Sequence, residues 1–524
     1  TAGHIGYHGV GRGKAGLVVV RDRVIVVPPY PRDVLSPDGY VVTEPARPVV
    51  PWPFRPTAAQ PLSTFSIDVD TASLSHARRY LTAGRGVPSD LVRVEEIVNA
   101  FHYGDPAPTG DAPIAVHVEV ADAPWQPANR LVRVAITSRP VENGDRAPAN
   151  LVFLVDTSGS MRAKEKLPLL VDALRKLVDN LGEDDRVAIV SYASKAKVVL
   201  EPTSAADKDA ILGALSKLRA AGYTNGGAGL DVAYDLARRS FLRDGANRVI
   251  LATDGDFNSG ETDNWSLQRT IRDKARSGVM LSVLGFGRTG YDDHRLELLA
   301  QHGDGRYAFI DSLEEANRVL GRELDATLVT AAKDVRVQVE LNPAQALGYR
   351  LIGYENRGMA ASEFNQEGKD AGDLGAGESV VAFYEVIPVP GTEHSAVDAP
   401  RYAADGSVRE QGPAGGDDDE GVAQELMVVK VRWVPPKGGH SERLDVPVVD
   451  HGQHLDTASP DFLFSAGAAA FGMKLQGWSD PSRLVSWGLV EDLVRRSLAW
   501  WGADDARRQL LDLAQRARKV YGGP

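Results

Sequence analysis

The chain has 524 residues, and at about 100–200 residues per domain this length predicts several domains. Its 71 Asp and Glu residues outnumber its 59 Lys and Arg residues, and the net charge of −12 argues against nucleic acid or an anionic lipid surface as the main partner. Cys is absent from the sequence, which excludes disulfides, thiolate zinc sites, iron–sulfur clusters and cysteine nucleophiles.

The N-terminal region, residues 1–62, is predicted to be a Gly- and Pro-rich tether. Two Val-rich runs, 17–20 and 24–27, indicate an antiparallel pair of strands that would add to a neighbouring sheet or to a partner. The dense prolines that follow favour an extended spacer over a helix. The first residue is Thr1 rather than Met, which is consistent with the removal of a signal peptide or a lipid-anchoring leader.

Residues 63–148 mix helical patterns with strands. The predicted elements are, in chain order, a strand at 65–69, helices at 74–83 and 90–101, and strands at 113–120 and 130–137. The last two strands alternate apolar and polar residues, which is typical of strands with one buried face.

Residues 149–328 repeat a strand-then-helix rhythm. The first strand, 151–155, is a continuous apolar run, which is typical of a strand buried on both faces. The later predicted elements are helix 167–181, strand 187–192, helices 205–218 and 230–241, strand 249–252, helix 267–277, strand 279–285, helix 292–302, strand 307–310 and helix 313–324. Alternating elements of these lengths predict an α/β fold, with a doubly wound, mainly parallel sheet between two layers of helices.

After the α/β unit, apolar residues again alternate with polar residues, which is the period of two that is typical of strands. Residues 329–455 are predicted to form a β-sandwich region in which polar residues 391–421 are a flexible insertion, and residues 456–524 are predicted to be helical. The clearest strands are predicted at 335–341, 380–387 and 426–433. Because strand-rich segments flank the α/β unit, we expect that it is inserted into an antiparallel β-sandwich, and the alternative is two separate β domains.

A set of oxygen ligands follows the first parallel strand. Asp156, Ser158 and Ser160 share a tight loop with a spacing of two, so all three side chains can turn toward one point. Open α/β sheets bind ligands beyond the carboxyl ends of their strands. Thr224, in a Gly-rich loop, and Asp254, after another apolar strand, would complete a set that suits a hard cation such as Mg²⁺. The alternative is a loop that only caps a helix.

This pattern resembles the metal-ion-dependent adhesion site of von Willebrand factor type A domains. The resemblance implies a metal held directly or through water by Asp156, Ser158, Ser160 and Thr224. It implies that Asp254 acts through water, and that one coordination position stays open for an Asp or Glu carboxylate of a partner protein. The implied cofactor is Mg²⁺, with Mn²⁺ or Ca²⁺ as alternatives.

Three other acidic residues have two interpretations each. Asp256 either supports the metal loop or belongs to a turn. Asp68 and Asp70 repeat the acid and hydroxyl pattern of the metal loop, so they form either a second cation site or a cap for the helix at 74–83. The cap is the favoured interpretation.

The flanking regions indicate which subfamily of these proteins the chain resembles. Residues 66–73, 94–99 and 349–357 resemble the N- and C-terminal regions of a bacterial subfamily of these proteins, whose members are often exported lipoproteins. The resemblance then covers about 64–500. It implies a location in the cell envelope, either the periplasm or the outer surface, with a lipid anchor upstream of the chain.

The leading hypothesis for function is a divalent-cation-dependent protein-binding module of the cell envelope. The alternative is a scaffold or assembly subunit that self-associates through the N-terminal strands and the sandwich. An enzyme is disfavoured because the metal loop has no adjacent His or Glu as a general base. The G-x-G-x-x-G match at 285–290 lies too late in the sheet for a dinucleotide site. No apolar run reaches the about 18 residues of a membrane span.

Overall fold

The computed structural model describes most of the chain from residue 50 onward. The described residues are 50–141, 146–223, 226–255, 264–287, 293–322, 324–366, 371–390, 424–477, 485–501 and 504–522, together with the backbone of four short strands nearer the N-terminus. The predicted insertion at 391–421 and the candidate residues Thr224 and Asp256 lie outside these ranges.

Strands and helices are numbered in chain order. The strands are β1 (Gly16–Val20), β2 (Arg23–Val27), β3 (Val34–Leu35), β4 (Val41–Val42), β5 (Arg55–Pro56), β6 (Leu62–Ser66), β7 (Ile114–Ala123), β8 (Gln126–Ser138), β9 (Ala149–Asp156), β10 (Arg186–Tyr192), β11 (Ala196–Ser204), β12 (Ala246–Thr253), β13 (Met280–Phe286), β14 (Tyr307–Ile310), β15 (Thr330–Leu341), β16 (Ala346–Ile352), β17 (Gly358–Met359), β18 (Gly372–Gly375), β19 (Ser379–Pro388), β20 (Glu425–Val434) and β21 (Glu442–Val449). The helices are α1 (Ala72–Thr82), α2 (Val94–Asn99), α3 (Leu167–Asn180), α4 (Lys208–Leu215), α5 (Gly226–Arg239), α6 (Asn264–Ala275), α7 (Asp293–His302), α8 (Leu313–Asn317), α9 (Leu324–Leu328), α10 (Pro460–Gln476), α11 (Trp487–Trp501) and α12 (Asp505–Tyr521).

The middle of the chain forms one six-stranded sheet of order β11-β10-β9-β12-β13-β14. Its strands pair in parallel except β11, which is antiparallel to β10. Helices α3, α4 and α8 pack on one face and α5, α6 and α7 on the other, each layer with its own apolar core. Strand β9 lies inside the sheet and is buried along its whole length, which explains its continuous apolar run. The predicted doubly wound α/β fold is confirmed.

Strand β11 is an element that the sequence does not predict. It is an edge strand whose residues are all half-buried or exposed, and it contains Pro202, so it lacks both the apolar run and the alternation of a buried strand. The helix predicted at 205–218 is shorter in the structure. It begins at Lys208, where the side chain of Asp207 caps it by accepting a hydrogen bond from the amide of Ala210 at 3.1 Å.

The sandwich consists of two antiparallel sheets with strands from both sides of the α/β unit. One sheet has the order β17-β6-β15-β20-β21, with β18 also paired to β15, and the other has the order β5-β16-β19-β8-β7. Strand β15 follows the α/β unit and pairs with β6, which precedes it. The inner faces share one apolar core. The insertion of the α/β domain into a sandwich is therefore confirmed, and the alternative of two separate β domains is wrong.

A helical layer covers the outer face of the second sandwich sheet. Helices α10, α11 and α12 share an apolar core with α1, α2 and with strands β7, β8 and β19. Close packing favours glycine at position 472, because a Cβ atom there would lie 3.2 Å from the Cα atom of Val94. Trp487 is buried in this core and Trp500 is 80% exposed. Among the helices that the structure describes, none is long and apolar enough to cross a bilayer.

Candidate metal centre

The loop after β9 is held rigidly between two neighbouring segments. The amide of Thr157 donates to the carbonyl of Tyr192, the last residue of β10, at 2.8 Å. The amide of Gly159 donates to the carbonyl of Gly222 at 2.9 Å, which joins the loop to the Gly-rich segment before α5. The side chain of Asp156 closes the turn by accepting the amide hydrogen of Ser158 at 2.8 Å. The spacing of two in the sequence thus becomes a preformed turn.

The oxygens of this loop face one another. The hydroxyls of Ser158 and Ser160 lie 2.9 Å apart. The Oδ2 atom of Asp156 is 3.3 Å from the hydroxyl of Thr253 and 3.4 Å from that of Tyr192. Since Thr253 is the last residue of β12, its contact with Asp156 brings the ends of β9 and β12 together.

Asp254 follows Thr253 and is buried beside Lys166. The ammonium group of Lys166 lies 2.6 Å from the Oδ2 atom of Asp254. The Oδ1 atom is buried and has no hydrogen-bond partner among the described residues. Lys166 fits here because Gly287, with φ +108°, leaves space for it: a Cβ atom at Gly287 would lie 2.5 Å from the Cε atom of Lys166.

The two carboxylates also interact electrostatically. Burial first, and then the negative charge of Asp254, raise the pKa of Asp156 to about 6, although the hydrogen bonds from Ser158 and Thr253 act to lower it. A cation at this place would relieve both effects. The orphaned oxygen of Asp254 and the all-oxygen donor set fit a hard divalent cation.

The structure brings four of the predicted ligand residues to this edge, namely Asp156, Ser158, Ser160 and Asp254. Nothing in the sequence pattern pointed to Lys166, because its contact with Asp254 spans 88 residues. The site opens to solvent: Ser160 is exposed, and Tyr223, which follows Gly222 in the Gly-rich segment, is 87% exposed.

Asp68 and Asp70 lie elsewhere, in the loop between β6 and α1. The strand predicted at 65–69 ends at Ser66, so both residues lie beyond it. Asp68 accepts two hydrogen bonds from the guanidinium of Arg357, at 2.9 and 3.0 Å. The Oδ1 atom of Asp70 accepts the amide hydrogen of Tyr307 at 3.0 Å. Because the two carboxylates make these contacts, neither of them caps α1.

The first turn of α1 bonds to a different acid. The amide and the hydroxyl of Ser73 both donate to the Oε2 atom of Glu96, each at 2.8 Å. Burial first, then the charges of Glu297 and Asp68, raise the pKa of Glu96 to about 8. Burial first, then the charges of Glu355 and Asp68, also raise the pKa of Glu95 to about 8. Asp68 and Asp70 therefore belong to a larger buried group of carboxylates.

Comparisons with known proteins define the class. Residues 150–322 match the model of the von Willebrand factor type A domain, and residues 47–133 match a model described as von Willebrand factor. Residues 326–520 match a model described as the C-terminal region of uncharacterized protein YfbK. The α/β domain is a von Willebrand factor type A domain, a module of protein interaction and adhesion. The matched models and relatives indicate no enzyme family.

The chain is 39% identical to Escherichia coli YfbK over 453 residues, which cover 85% of this chain and 76% of that protein. It therefore belongs to the YfbK family. A Synechocystis protein, sll0103, is 29% identical over 37% of this chain and 45% of its own length. Inter-alpha-trypsin inhibitor heavy chain H4 of Sus scrofa is 28% identical over 42% of this chain and 22% of its own length.

Solved structures are similar at lower identity. A von Willebrand factor type A protein from Catenulispora acidiphila is 18% identical, with a TM-score of 0.41, and the match covers 78% of this chain and 91% of that one. A Sulfolobus acidocaldarius protein described as the ArnB paralog VWA2 is 14% identical, with a TM-score of 0.35, over 78% and 98% of the two chains.

Proposed function

We propose that this chain is a divalent-cation-dependent protein-binding module of the bacterial cell envelope. The cation, Mg²⁺ or in its place Mn²⁺ or Ca²⁺, would be held by Asp156, Ser158, Ser160 and Thr224, with Asp254 acting through water. One observation carries the proposal: the carboxylates of Asp156 and Asp254 converge with two serine hydroxyls at the carboxyl edge of a parallel sheet.

The charges of the site favour an anionic partner. Lys166 neutralises Asp254, so Asp156 is the uncompensated carboxylate of the described ligand set. A divalent cation there would retain a net positive charge and would attract a further carboxylate. Its chemistry would be to offer one coordination position to an Asp or Glu of the partner protein.

The surroundings of the site support contact with a protein. Ser160 is accessible, and Tyr223 is a large aromatic side chain left almost fully in solvent at the rim. Tyr is enriched among the residues that contribute most to protein interfaces. A partner that places a carboxylate on the cation would cover Tyr223 at the same time.

The location in the envelope rests on the resemblance of the flanking regions to exported lipoproteins. Fractionation of the native bacterium tests it directly. We expect the chain in the periplasmic or membrane fraction, and recovery in the cytosolic fraction alone would contradict this part of the proposal.

The metal site is tested by thermal unfolding of the purified chain in Mg²⁺, Mn²⁺, Ca²⁺ and chelator. We expect Mg²⁺ to raise the unfolding temperature, because a ligand that binds only the folded state stabilises it. Asp156→Ala should lose this shift, and Asp172→Ala, on the exposed side of α3, should keep it. Envelope proteins captured on the immobilised chain in Mg²⁺ should elute with chelator. An equal Mg²⁺ shift in Asp156→Ala would contradict the assignment.

A second candidate function is self-association. The observation that favours it is the pair β1 and β2, which forms an antiparallel two-stranded sheet of Val-rich sequence. A sheet of two strands gains stability by pairing with further strands. Sedimentation of the full chain and of a chain lacking residues 1–49 tests this, and we expect only the full chain to form oligomers if the candidate holds.

A further inference from the structure

We infer that a second divalent-cation site, suited to Ca²⁺, lies where the α/β domain meets the sandwich and is built on Asp68, Asp70 and Glu297. One carboxylate oxygen from each of the three residues lies within 4.8 Å of the others. Asp68 and Asp70 come from the loop before α1, and Glu297 comes from α7, so the site joins segments far apart in the sequence.

The carboxylates of the loop are held in place before any cation binds. Arg357 donates to both oxygens of Asp68, and its guanidinium is also 3.6 Å from the Oδ2 atom of Asp70. The amide of Tyr307, the first residue of β14, fixes the other oxygen of Asp70. Because these contacts come from the sandwich side and from the α/β sheet, the geometry of the site depends on how the two units pack.

A second observation is independent of this cluster and points to a missing cation. Glu95 is 1% exposed, and neither of its carboxylate oxygens has a hydrogen bond of good geometry within the part of the chain that the structure describes. Its Oε2 atom lies against Gly353, where a Cβ atom would approach it to 2.7 Å. The carboxylate is close enough to Asp68 and Glu355 for their charges to repel it. Among the described residues, both oxygens of Glu355 are likewise buried and without a hydrogen bond of good geometry.

The charge of the region is strongly unbalanced. Among the described residues, the interacting carboxylates are Asp68, Asp70, Glu95, Glu96, Glu297 and Glu355. The guanidinium groups of Arg93 and Arg357 face them. Glu297 has a further interaction of its own. The other five carboxylates exceed the two described guanidinium groups by three negative charges when all are ionised. Buried charges without a counter-charge are strongly unfavourable, so the folded state must take up either a cation or protons.

The donor set favours Ca²⁺ over Mg²⁺. Ca²⁺ takes six to eight oxygens in flexible geometry, and several carboxylates increase its affinity, whereas Mg²⁺ keeps most of its water and uses few carboxylates. The bound ion would link the loop before α1 to α7 and so hold the α/β domain against the sandwich. This site is independent of the proposed cation at Asp156.

The test is a Ca²⁺ titration of the full chain by calorimetry after removal of bound metal with chelator. We use Asp156→Ala as the background, because it removes the other proposed site. This variant should still bind one Ca²⁺ per chain. Adding Glu297→Gln should weaken the binding by about tenfold or more. The reason is that even groups that only hydrogen-bond to the metal ligands contribute about 10–100-fold to metal affinity. Adding Glu314→Gln, an exposed acid on α8, should leave it unchanged.

Other results would overturn the inference. If Asp156→Ala binds no Ca²⁺ at pH 7 or pH 8, the carboxylates hold protons and there is no second site. The same conclusion holds if Glu297→Gln and Glu314→Gln bind Ca²⁺ equally. Glu297→Asp, which keeps the charge but shortens the reach, guards against a folding defect and should also bind more weakly. Failure of the Asp156 site in the thermal test leaves this inference standing, so the two failures are distinguishable.

Discussion

Two groups of carboxylates border the α/β domain, one at the carboxyl edge of its sheet and one beside α7. At the sheet edge, Asp254 has its own counter-charge in Lys166, and Ser160 is accessible to solvent. Beside α7, Asp68 and Glu95 are almost fully buried, in a group where the described carboxylates outnumber the described guanidinium groups that face them. The open group suits an exchangeable ion that a partner can reach, whereas the closed group suits an ion that fixes how two units pack.

The largest expected effect on stability comes from removing the guanidinium group of Arg357, which pairs with the buried carboxylates of the closed group. Arg357→Met leaves Asp68 and Asp70 without their guanidinium, and breaking a buried ion pair costs about 3–5 kcal/mol of stability. The control is Arg443→Met, whose partner Asp445 is nearly half exposed, and such pairs contribute about 0–1 kcal/mol. The measurement is the free energy of unfolding in urea with chelator present. Equal losses in the two variants would remove the distinction between buried and exposed pairs.

The second largest effect is expected in the pH dependence of stability, to which the closed group and the open group of carboxylates contribute over different pH ranges. In chelator we expect stability to fall as the pH rises from about 5 to 8. The reason is that the raised pKa of Glu95, from 4.5 to about 8, makes the folded state bind more protons than the unfolded state within this window. The raised pKa of Asp156, to about 6, acts in the same direction over a narrower range. Saturating Ca²⁺ should reduce the fall.

The control for the pH profile is Glu95→Gln, which keeps the shape of the side chain and removes its proton equilibrium. Unfolding temperatures at pH 5, 6, 7 and 8 in chelator should vary less in this variant than in the native chain. A native profile that rises with pH over the window would show that these acids are ionised in the folded state and compensated by other groups.

The same contrast shows what a sequence can predict. The α/β rhythm and the loop at Asp156, Ser158 and Ser160 are encoded over a few consecutive residues, so periodicity and spacing reveal them. Lys166 and Glu297 reach their acids through tertiary packing, and no local pattern marks either residue. The sequence marks Asp68 and Asp70 as acidic positions, but the favoured prediction that they cap α1 is wrong, because their oxygens bond to Arg357 and Tyr307.

The edge of the α/β sheet is a second place where local sequence patterns do not predict the structure. Strand β11 has half-buried and exposed residues and an internal proline, so its position depends on pairing with β10 rather than on its own pattern. The insertion of the α/β domain was predictable because strand-rich segments flank it. Which strands pair across the insertion, such as β6 with β15, was not, because the pairing joins residues more than 250 positions apart.

A smaller effect is expected from removing the counter-charge of the open group. Lys166→Met takes the ammonium away from Asp254, and leaving a buried carboxylate without this partner costs about 1–3 kcal/mol in chelator. The same change should strengthen Mg²⁺ binding, because the ion no longer shares the site with a positive charge. The thermal shift caused by Mg²⁺ should therefore be larger than in the native chain. Lys164→Met, an exposed neighbour, is the control, and equal shifts in the two variants would show that Lys166 does not act on the cation.

The smallest effect on stability, and the most specific effect on binding, is expected at the rim of the open group. Tyr223 is 87% exposed, so Tyr223→Ala should change the free energy of unfolding by less than about 0.5 kcal/mol and leave the Mg²⁺ shift intact. Capture of envelope proteins on the immobilised chain should weaken, because a partner that bridges to the cation loses an aromatic contact. Trp500 is 80% exposed and lies on α11 in the helical layer, so Trp500→Ala is the matched control and should capture normally. If Trp500→Ala reduced capture and Tyr223→Ala did not, the partner would bind the helical layer, and the open group of carboxylates would bind its cation without contacting the partner.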